Sequence, residues 1–549
     1  MKFKTLLLAL LCSTALTSQA QITDRKLPAK WSNLVEGGTF KDRFLPMKGS
    51  KLSSDDAWGA ACVKPRFIDN GVENKDYSYW GGNILQDKNG MFHMYVCGWK
   101  ENTPKGHMSW AGSDVFHATA KKLHGPYSIQ EKIGHGHNPE AFVLNGGRIV
   151  IYRINGCYIA DSYDGPWEKS ELTFNTRDRK IIEGLSNFSF CKREDGSFIA
   201  VCRGGGMWIS KDGISPYNQV TDERVYPPVD GRFEDPVIWK DHVQYHLIVN
   251  DWYGRIAWYL RSKDGVNWIT DDGVAYEPGI AVHPDGRKED WFKYERLKVF
   301  QDEYGRAIQA NFAVIDTLKH YDLPNDIYSS KNITIPLNPG LLLSIENEVS
   351  FTNKPNQITL RVRSEKAFNP QKQMDLKSIR FGLSKDVDYG KGFAVASSKK
   401  DGKDLILTFN TEGLEIPKDE FALKLIAKDK KKQMIYGYTR LPNVEYNVPI
   451  LSAQRTKEVL KSYSTHWTIR VENFGQVSAE NAKVYIKSIR GDKTVILGEY
   501  EVGTIDPYQS KDIEAHFRSD LTQYDRGNYE ISVQYKDEIP NKFTFTRNK

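Results

Sequence analysis

Short apolar runs separated by turn residues repeat along the chain between residues 58 and 340. Each copy has a small or polar start, an apolar strand, a tight turn, a second strand and a third strand. Asn-Gly and Asp-Gly pairs form several of the turns, and such pairs between apolar runs are strong hairpin signals. The copies begin at residues 81, 138, 186, 234 and 294. A spacing of about 48 to 60 residues suits one four-stranded sheet per copy and predicts a five-bladed β-propeller.

The pattern changes after residue 340, where Trp becomes rare and Lys, Val, Ile and Thr increase. Pro339 and Gly340 punctuate the chain at this change. About seven short alternating strands per hundred residues are typical of immunoglobulin-like sandwiches. We therefore predict an all-β chain, with the propeller over 58–340, a β-sandwich over 341–448 and an Ig-like β-sandwich over 449–549.

The first twenty residues have the pattern of a secretory signal peptide. Lys2 and Lys4 precede an apolar run, and Ala20 ends the segment with a small residue. We expect cleavage before Gln21, a lead-in over residues 21–57, and export to the periplasm or the medium. Lipidation at Cys12 is disfavoured, because the preceding residue is a bulky leucine. No later apolar run is long enough to predict membrane insertion.

The net charge is +6, and the basic residues are scattered rather than gathered in one stripe. This distribution does not predict nucleic-acid binding, but a mild positive bias would help to attract an acidic or sulfated glycan. The five cysteines after residue 20 include no CxxC pair, so no zinc motif and no disulfide framework is predicted. No cofactor is predicted with certainty; a central calcium ion is left open, and so is the oligomeric state.

The fourth copy starts with Phe233-Glu234-Asp235-Pro236. With the repeat itself, this start resembles the five-bladed propeller glycosidases, the group of arabinanases, xylosidases, invertases and neoagarooligosaccharide hydrolases, over roughly residues 58–320. The resemblance implies a carboxylate pair that flanks the glycosidic oxygen, with the Glu of the fourth start as the acid. Glu234 matches that residue, so the resemblance implies that Glu234 is the general acid.

Two other positions depart from the glycosidase pattern. The resemblance implies an Asp as base at the first start and a tuning Asp at the third, but this chain has Gly81 and Asn187 there. The standard inverting mechanism therefore lacks its base. Asp235, Asp251 and Glu140 are the alternatives for that role.

The second start, Gly-His-Gly-His-Asn-Pro-Glu over residues 134–140, is the richest constellation of polar groups. Two His residues two positions apart on an extended chain point the same way. With Glu140, His135 and His137 could hold a metal ion, or act as a base and a sugar-binding donor.

The starts of the five copies supply the candidate site residues. The candidate catalytic residues are Glu234, His137, His135 and Glu295. The candidate substrate-binding residues are Asn138, Glu140, Asn187, Arg203, Asp235, Arg296 and Trp80. Inner strands of a propeller converge on its axis, so we expect one pocket lined by His137, Glu140, Asn187, Glu234 and Glu295.

Three functions agree with these residues. The first is an exo-acting glycoside hydrolase that degrades acidic or sulfated oligosaccharides. The second is a β-eliminating lyase or a uronate oligosaccharide dehydratase, which needs a His or Tyr base and a cation beside the substrate carboxylate. His135, His137, Arg203 and Arg296 suit that chemistry better than they suit hydrolysis. The third is a non-catalytic glycan-binding protein.

Overall fold

The computed structural model describes residues 24–546 except 50–65, 67, 176, 178–181, 183–184, 329, 462–463, 519–527 and 537–540. The predicted signal peptide and Cys62 lie outside the described residues. Strands dominate the described chain, which confirms the all-β prediction. The helices in the described ranges are all short, at Ala29–Asn33, Phe40–Arg43, Gly106–Gly112, Pro370–Gln373 and Ser384–Val387. None of the described helices has the length and apolar character needed to cross a membrane.

Five antiparallel sheets follow one another between residues 77 and 336, and in each sheet the strands pair in chain order. Sheet 1 contains β1 (Tyr77–Gln86), β2 (Phe92–Lys100), β3 (Asp114–Ala120) and β4 (Ser128–His135). Sheet 2 contains β5 (Glu140–Val143), β6 (Ile149–Arg153), β7 (Gly156–Ala160) and β8 (Glu168–Ser170). Sheet 3 contains β9 (Ser189–Lys192), β10 (Phe198–Val201), β11 (Met207–Ser210) and β12 (Asn218–Gln219). Sheet 4 contains β13 (Phe233–Lys240), β14 (Tyr245–Asp251), β15 (Ile256–Ser262) and β16 (Ile269–Thr270), and sheet 5 contains β17 (Lys293–Gln301), β18 (Ala307–Ile315) and β19 (Ser330–Pro336).

The first strands of the five sheets lie next to one another around a common axis. Strand β1 contacts β5, β5 contacts β9, β9 contacts β13, β13 contacts β17, and β17 contacts β1 again. The polar starts of the five copies are therefore brought to the centre of the ring, at the ends of these inner strands.

Sheet 5 differs from the expected four strands, because the lead-in takes the place of a fourth strand beside β19. Phe44 forms a bridge with Leu337, and the Leu45 N–H donates to the carbonyl of Pro336 at 2.8 Å. The Asn338 N–H donates in turn to the carbonyl of Arg43 at 2.8 Å. Pairing of the end of the outer strand β19 with the lead-in satisfies backbone groups that would otherwise form an open edge.

The chain after residue 340 forms two pairs of facing sheets. In the first pair, β20 (Leu343–Ile345), β21 (Gln357–Val362), β24 (Asp404–Asn410) and β23 (Val395–Asp401) face β22 (Met374–Gly382), β25 (Ala422–Asp429) and β26 (Met434–Arg440). In the second pair, β27 (Leu451–Lys461), β28 (Ser464–Asn473) and β31 (Ser510–Arg518) face β30 (Lys493–Ile505), β29 (Ala479–Arg490), β32 (Asn528–Gln534) and β33 (Asn541–Thr546). Each pair encloses its own apolar core, with Leu407 and Phe381 in the first and Trp467 and Ile486 in the second.

Four cysteines of the described chain are free thiols buried in the five-sheet region: Cys97, Cys157, Cys191 and Cys202. Arginines connect this region to the facing sheets that follow it. The Arg306 Nη2 lies 2.6 Å from the Glu365 Oε2, and the Arg193 Nη2 donates to the carbonyl of Phe474 at 2.8 Å.

Candidate active site

One residue with left-handed backbone torsion recurs at the start of every inner strand. The φ angles are +64° at Gly81, +56° at Asn138, +48° at Asn187, +52° at Asp235 and +52° at Arg296. Gly, Asn and Asp adopt this region at the least cost, whereas Arg296 pays a steric penalty there. Strands β1, β13 and β17 shift register at this point, as a β-bulge does when it re-aims side chains. We call these five residues the axial ring.

Hydrogen bonds join the axial ring across neighbouring sheets. The Asn138 Nδ2 donates to the Asn187 Oδ1 at 3.0 Å, and the Asn187 Nδ2 donates to the Glu234 Oε1 at 2.8 Å. The Arg296 Nη1 donates to the Asp235 Oδ1 at 2.7 Å, with both side chains buried. Asn187 thereby holds one oxygen of Glu234, and the positive charge of Arg296 compensates the negative charge of Asp235.

Glu234 is a half-buried carboxyl group whose surroundings favour the protonated form. Burial raises its pKa to about 7, the nearby charges of Asp235 and Glu295 add to the rise, and Lys319 and Arg203 oppose it. A carboxyl group with this pKa carries its proton for much of the time at neutral pH. It can therefore act as a general acid.

Glu295, two positions after Lys293, lies in surroundings that favour its ionised form, unlike those of Glu234. Its side chain is 2 % exposed, with the Lys293 Nζ 2.7 Å from Oε1 and the Lys319 Nζ 2.5 Å from Oε2. Burial works against ionisation, but the two ammonium groups outweigh it and hold the pKa of Glu295 well below its ordinary value. Two neighbouring carboxyl groups thus have pKa values displaced in opposite directions, which is the arrangement of acid–base pairs in active sites.

His137 is a neutral imidazole near the same cluster. Burial lowers its pKa well below the ordinary value, and the charges of Arg296 and Lys319 lower it further. Its Nδ1 lies 2.9 Å from the Ser113 Oγ, whose proton is directed to the carbonyl of Gly136 at 3.0 Å. This favours a proton on Nδ1 and a lone pair on Nε2, which has no hydrogen-bond partner among the described residues.

The prediction that His135 joins His137 in the site is wrong. His135 is the last residue of β4, the outermost strand of sheet 1, and its side chain is exposed. The chain leaves the strand at Gly136, so the alternation that would align two His side chains does not continue. No described contact connects His135 with the axial ring.

The prediction that Glu140 lines the same pocket is also wrong. Glu140 lies two residues past the ring residue Asn138, one layer deeper along the inner strand. Its Oε2 lies 2.6 Å from the Lys298 Nζ, and its Oε1 accepts from the Ser189 Oγ at 3.1 Å. Glu140 and Lys298 line a separate cavity of about 520 Å³. Glu140 therefore connects sheets 2, 3 and 5.

Two further candidates, Trp80 and Asp251, lie in surroundings that do not suit the roles predicted for them. Trp80 is 2 % exposed and packs against His107, with the Lys319 Nζ 5.1 Å from its ring centroid, so it offers no open face to a sugar. Asp251, an alternative base, is buried and accepts hydrogen bonds from Arg25 and from the Arg232 N–H. It anchors the lead-in to sheet 4.

A cavity of about 740 Å³ opens beside Phe233, the residue that precedes Glu234. Its walls contain the arginines and aromatic residues Arg203, Arg224, Arg232, Tyr226, Phe233, Trp252 and Tyr253. Arg203 is exposed, and its charge acts on Glu234. The sequence pattern predicts Arg203 but not Arg224, Arg232, Lys293 or Lys319. Arg232 lies just before β13 and Lys293 is the first residue of β17, so their position at strand starts could have identified them as site residues.

No family model and no curated protein sequence matches the chain. Among solved structures, a family 117 glycoside hydrolase of the marine bacterium Zobellia galactanivorans is 12% identical, over 54% of this chain and 89% of that chain, with a TM-score of 0.35. A protein described as a glycoside hydrolase is 10% identical, over 87% of this chain and 99% of that chain, with a TM-score of 0.35. A thermostable family-43 glycoside hydrolase is 13% identical, over 48% of this chain and 94% of that chain, with a TM-score of 0.30. All three similarities are distant.

Proposed function

We propose that this protein is an exported carbohydrate-active enzyme that cleaves glycosidic bonds in acidic oligosaccharides, with Glu234 as the general acid. The observation that carries the proposal is the opposite displacement of two pKa values, raised at Glu234 and lowered at Glu295, whose charge acts on Glu234. Phe233, the residue before Glu234, lines a cavity together with arginines, aromatic rings and the carboxylates Asp222 and Glu223. In the same proposal, the five sheets are the blades of a propeller, the facing sheets over 341–448 and 449–549 are Ig-like modules, and residues 1–20 direct export.

Glu234 suits the role of acid because, among the described residues, only its Oε1 accepts a hydrogen bond. Asn187 donates to Oε1, so the proton is carried on Oε2, the oxygen left free to approach a leaving group. Protonating the glycosidic oxygen as the bond breaks prevents the build-up of an alkoxide. Glu295 is the ionised partner in this mechanism.

The cavity suggests an anionic sugar as the substrate. Arg203, Arg224 and Arg232 offer planar donor groups that match a carboxylate or sulfate in a bidentate manner. Trp252 and Tyr253 supply apolar faces on which a sugar ring can pack. A terminal uronate or a sulfated residue is therefore the proposed ligand class.

A second candidate, β-elimination, is favoured by one specific observation. Both oxygens of Glu295 already face ammonium groups and Asp235 is paired with Arg296, so neither carboxylate is a free base. Within the described part of the chain the His137 Nε2 has no hydrogen-bond partner, and burial keeps this imidazole neutral by lowering its pKa. A neutral imidazole can accept the proton next to a carboxylate. Lys319 would then stabilise the negative charge that develops on the uronate.

The test of the proposal is incubation with a panel of acidic oligosaccharides from algae and plants, followed by mass spectrometry and ultraviolet absorption. Hydrolysis adds one water across the cleaved bond. Elimination creates an absorbing double bond, and dehydration of a terminal uronate removes one water. Binding without any change of mass across the panel would contradict an enzymatic role and favour a glycan-binding protein.

Activity is expected to fall as the pH rises through about 7. Burial raises the pKa of Glu234 to about 7, and an acid works only while it is protonated, so the descending limb follows its deprotonation. The measurement is kcat/KM against pH, which reports groups of the free enzyme. Activity that increases across the same interval would contradict the assignment of Glu234.

Replacing His137 with Gln is expected to separate the two mechanisms. If His137 removes a proton in an elimination, its loss lowers kcat by about a hundredfold or more, because the amide of the introduced glutamine cannot accept that proton. If the enzyme hydrolyses its substrate, the same variant loses less than Glu234→Gln. The measurement is kcat of both variants on one substrate, which shows which replacement causes the larger loss. Full activity in both variants would mean that the reaction takes place away from the axial ring.

A further inference from the structure

Two buried imidazoles lie side by side in sheet 1, away from the axial ring. His93 on β2 is 4 % exposed and His117 on β3 is fully buried. The His93 Nδ1 lies 2.9 Å from the His117 Nε2, and the two rings are nearly parallel. Tyr163 stacks on His93 and Tyr95 stacks on His117, so aromatic contacts fix both rings.

The outer nitrogens of this pair are buried and have no hydrogen-bond partner in the described part of the chain. The His117 Nδ1 lies 3.7 Å from a carboxylate oxygen of Asp164 and 3.8 Å from one of Glu131. These separations exceed a hydrogen bond, and they are close to the spacing of two ligand atoms on one metal ion. Buried polar nitrogens aimed at carboxylates without contact require an explanation.

Asp164 lacks one turn hydrogen bond that its equivalents in sheets 3 and 4 form. Equivalent Ser-x-Asp-Gly turns occur in sheets 3 and 4, where Asp212 and Asp264 accept the backbone N–H two residues later. In sheet 2 that later residue is Pro166, which has no N–H. The Asp164 carboxylate makes no such bond, is 75 % exposed and extends toward His117.

We propose that His93, His117 and Asp164 bind a divalent transition metal ion, with zinc as the best match. Ligand atoms of the three residues lie within 4.8 Å of one another. Imidazole and carboxylate are common zinc ligands, and tetrahedral bonds of about 2.0–2.1 Å place ligand atoms roughly 3.3 Å apart. The His117 Nδ1 and the Asp164 carboxylate oxygen, 3.7 Å apart, reach that spacing with a shift of a few tenths of an ångström. His93 joins them by exchanging its hydrogen bond to the His117 Nε2 for the ion.

The position of the site indicates a structural role. Both His residues belong to sheet 1, whereas Asp164 belongs to the turn that follows β7 of sheet 2. An ion held by all three residues would therefore cross-link two neighbouring sheets near their outer part. The exposed carboxylate provides the path by which the ion enters, and the buried imidazoles prevent its easy loss.

The test is a titration of the full-length mature protein with zinc chloride after removal of metals with EDTA. Calorimetry should detect one ion per chain, and thermal unfolding should shift upward with zinc, because an ion that binds only the folded state stabilises it. Asp164→Asn is expected to weaken zinc binding at least about tenfold without loss of folding, since the side chain is exposed.

Asp161→Asn is the matched control, because Asp161 lies three residues earlier, is 89 % exposed and pairs with Arg148. Its zinc affinity should equal that of the unmodified protein. Absence of zinc binding in the unmodified protein would overturn the proposal. Equal binding in Asp164→Asn would also overturn it, since the ion would then occupy another place, such as the stacked pair of His466 and His516.

Discussion

Replacing Glu234 with Gln is expected to lower kcat by about a hundredfold or more while leaving the thermal unfolding temperature almost unchanged. The amide keeps the size of the side chain and an oxygen that accepts the Asn187 Nδ2–H at the observed position. It cannot release a proton to a leaving oxygen. The measurement is turnover of an acidic oligosaccharide that the unmodified enzyme cleaves, together with a thermal melt of each protein.

Glu168→Gln is the control for this variant. Glu168 lies on β8, the outermost strand of sheet 2, and its side chain is 81 % exposed beside Arg148. Its replacement should leave turnover and stability unchanged, because exposed ion pairs contribute little. Normal turnover in Glu234→Gln would contradict the assignment of Glu234 as the general acid. A large fall in its unfolding temperature would show that the loss of activity has a structural cause.

Replacing Lys298 with Met is expected to destabilise the five-sheet region by about 3–5 kcal/mol at neutral pH. Methionine fills a similar volume but leaves the Glu140 carboxylate buried without its cation. That carboxylate then loses the partner that compensates for its removal from water. Urea unfolding followed by tryptophan fluorescence measures the effect, because ten of the 13 tryptophans of the chain lie between residues 77 and 336, the region of the five sheets.

The double variant Glu140→Gln, Lys298→Met tests the cause. Glutamine retains an oxygen that accepts from the Ser189 Oγ, and it removes the uncompensated charge. Most of the stability lost in Lys298→Met should therefore return in the double variant. An equal loss in both variants would mean that the packing of the lysine stem, rather than its charge, stabilises the region.

The sheets and the convergence of several site residues could be predicted from the sequence because the signals are local. Apolar alternation and turn residues repeat in each copy, and a residue at one place in a copy has equivalents in the others. Asn187, Glu234 and Glu295 were selected in this way, and the structure brings them within contact or electrostatic range of one another. The catalytic roles of Glu234 and Glu295 and the substrate-binding role of Asn187 stay predictions.

The errors come from geometry that a local pattern does not contain. The spacing of His135 and His137 predicts that both side chains point the same way, but the strand ends between them. Glu140 was assigned to the layer of Asn138, although alternate residues of an inner strand occupy different layers. Lys319 lies in a loop after β18 and reaches Glu295 over 24 residues of chain, a contact that no motif marks.

The left-handed backbone of the axial ring restricts the residue types that can occupy its five positions, in evolution and in protein design. A left-handed residue in each copy admits Gly, Asn or Asp readily, so most side chains at these five positions are confined to short polar groups. The residue just before each of them carries no such restriction, and there the chain has Trp80, His137, Ser186, Glu234 and Glu295. The ring therefore serves as a fixed frame, and the chemistry of each copy is set by the residue that precedes it, as Glu234 and Glu295 show.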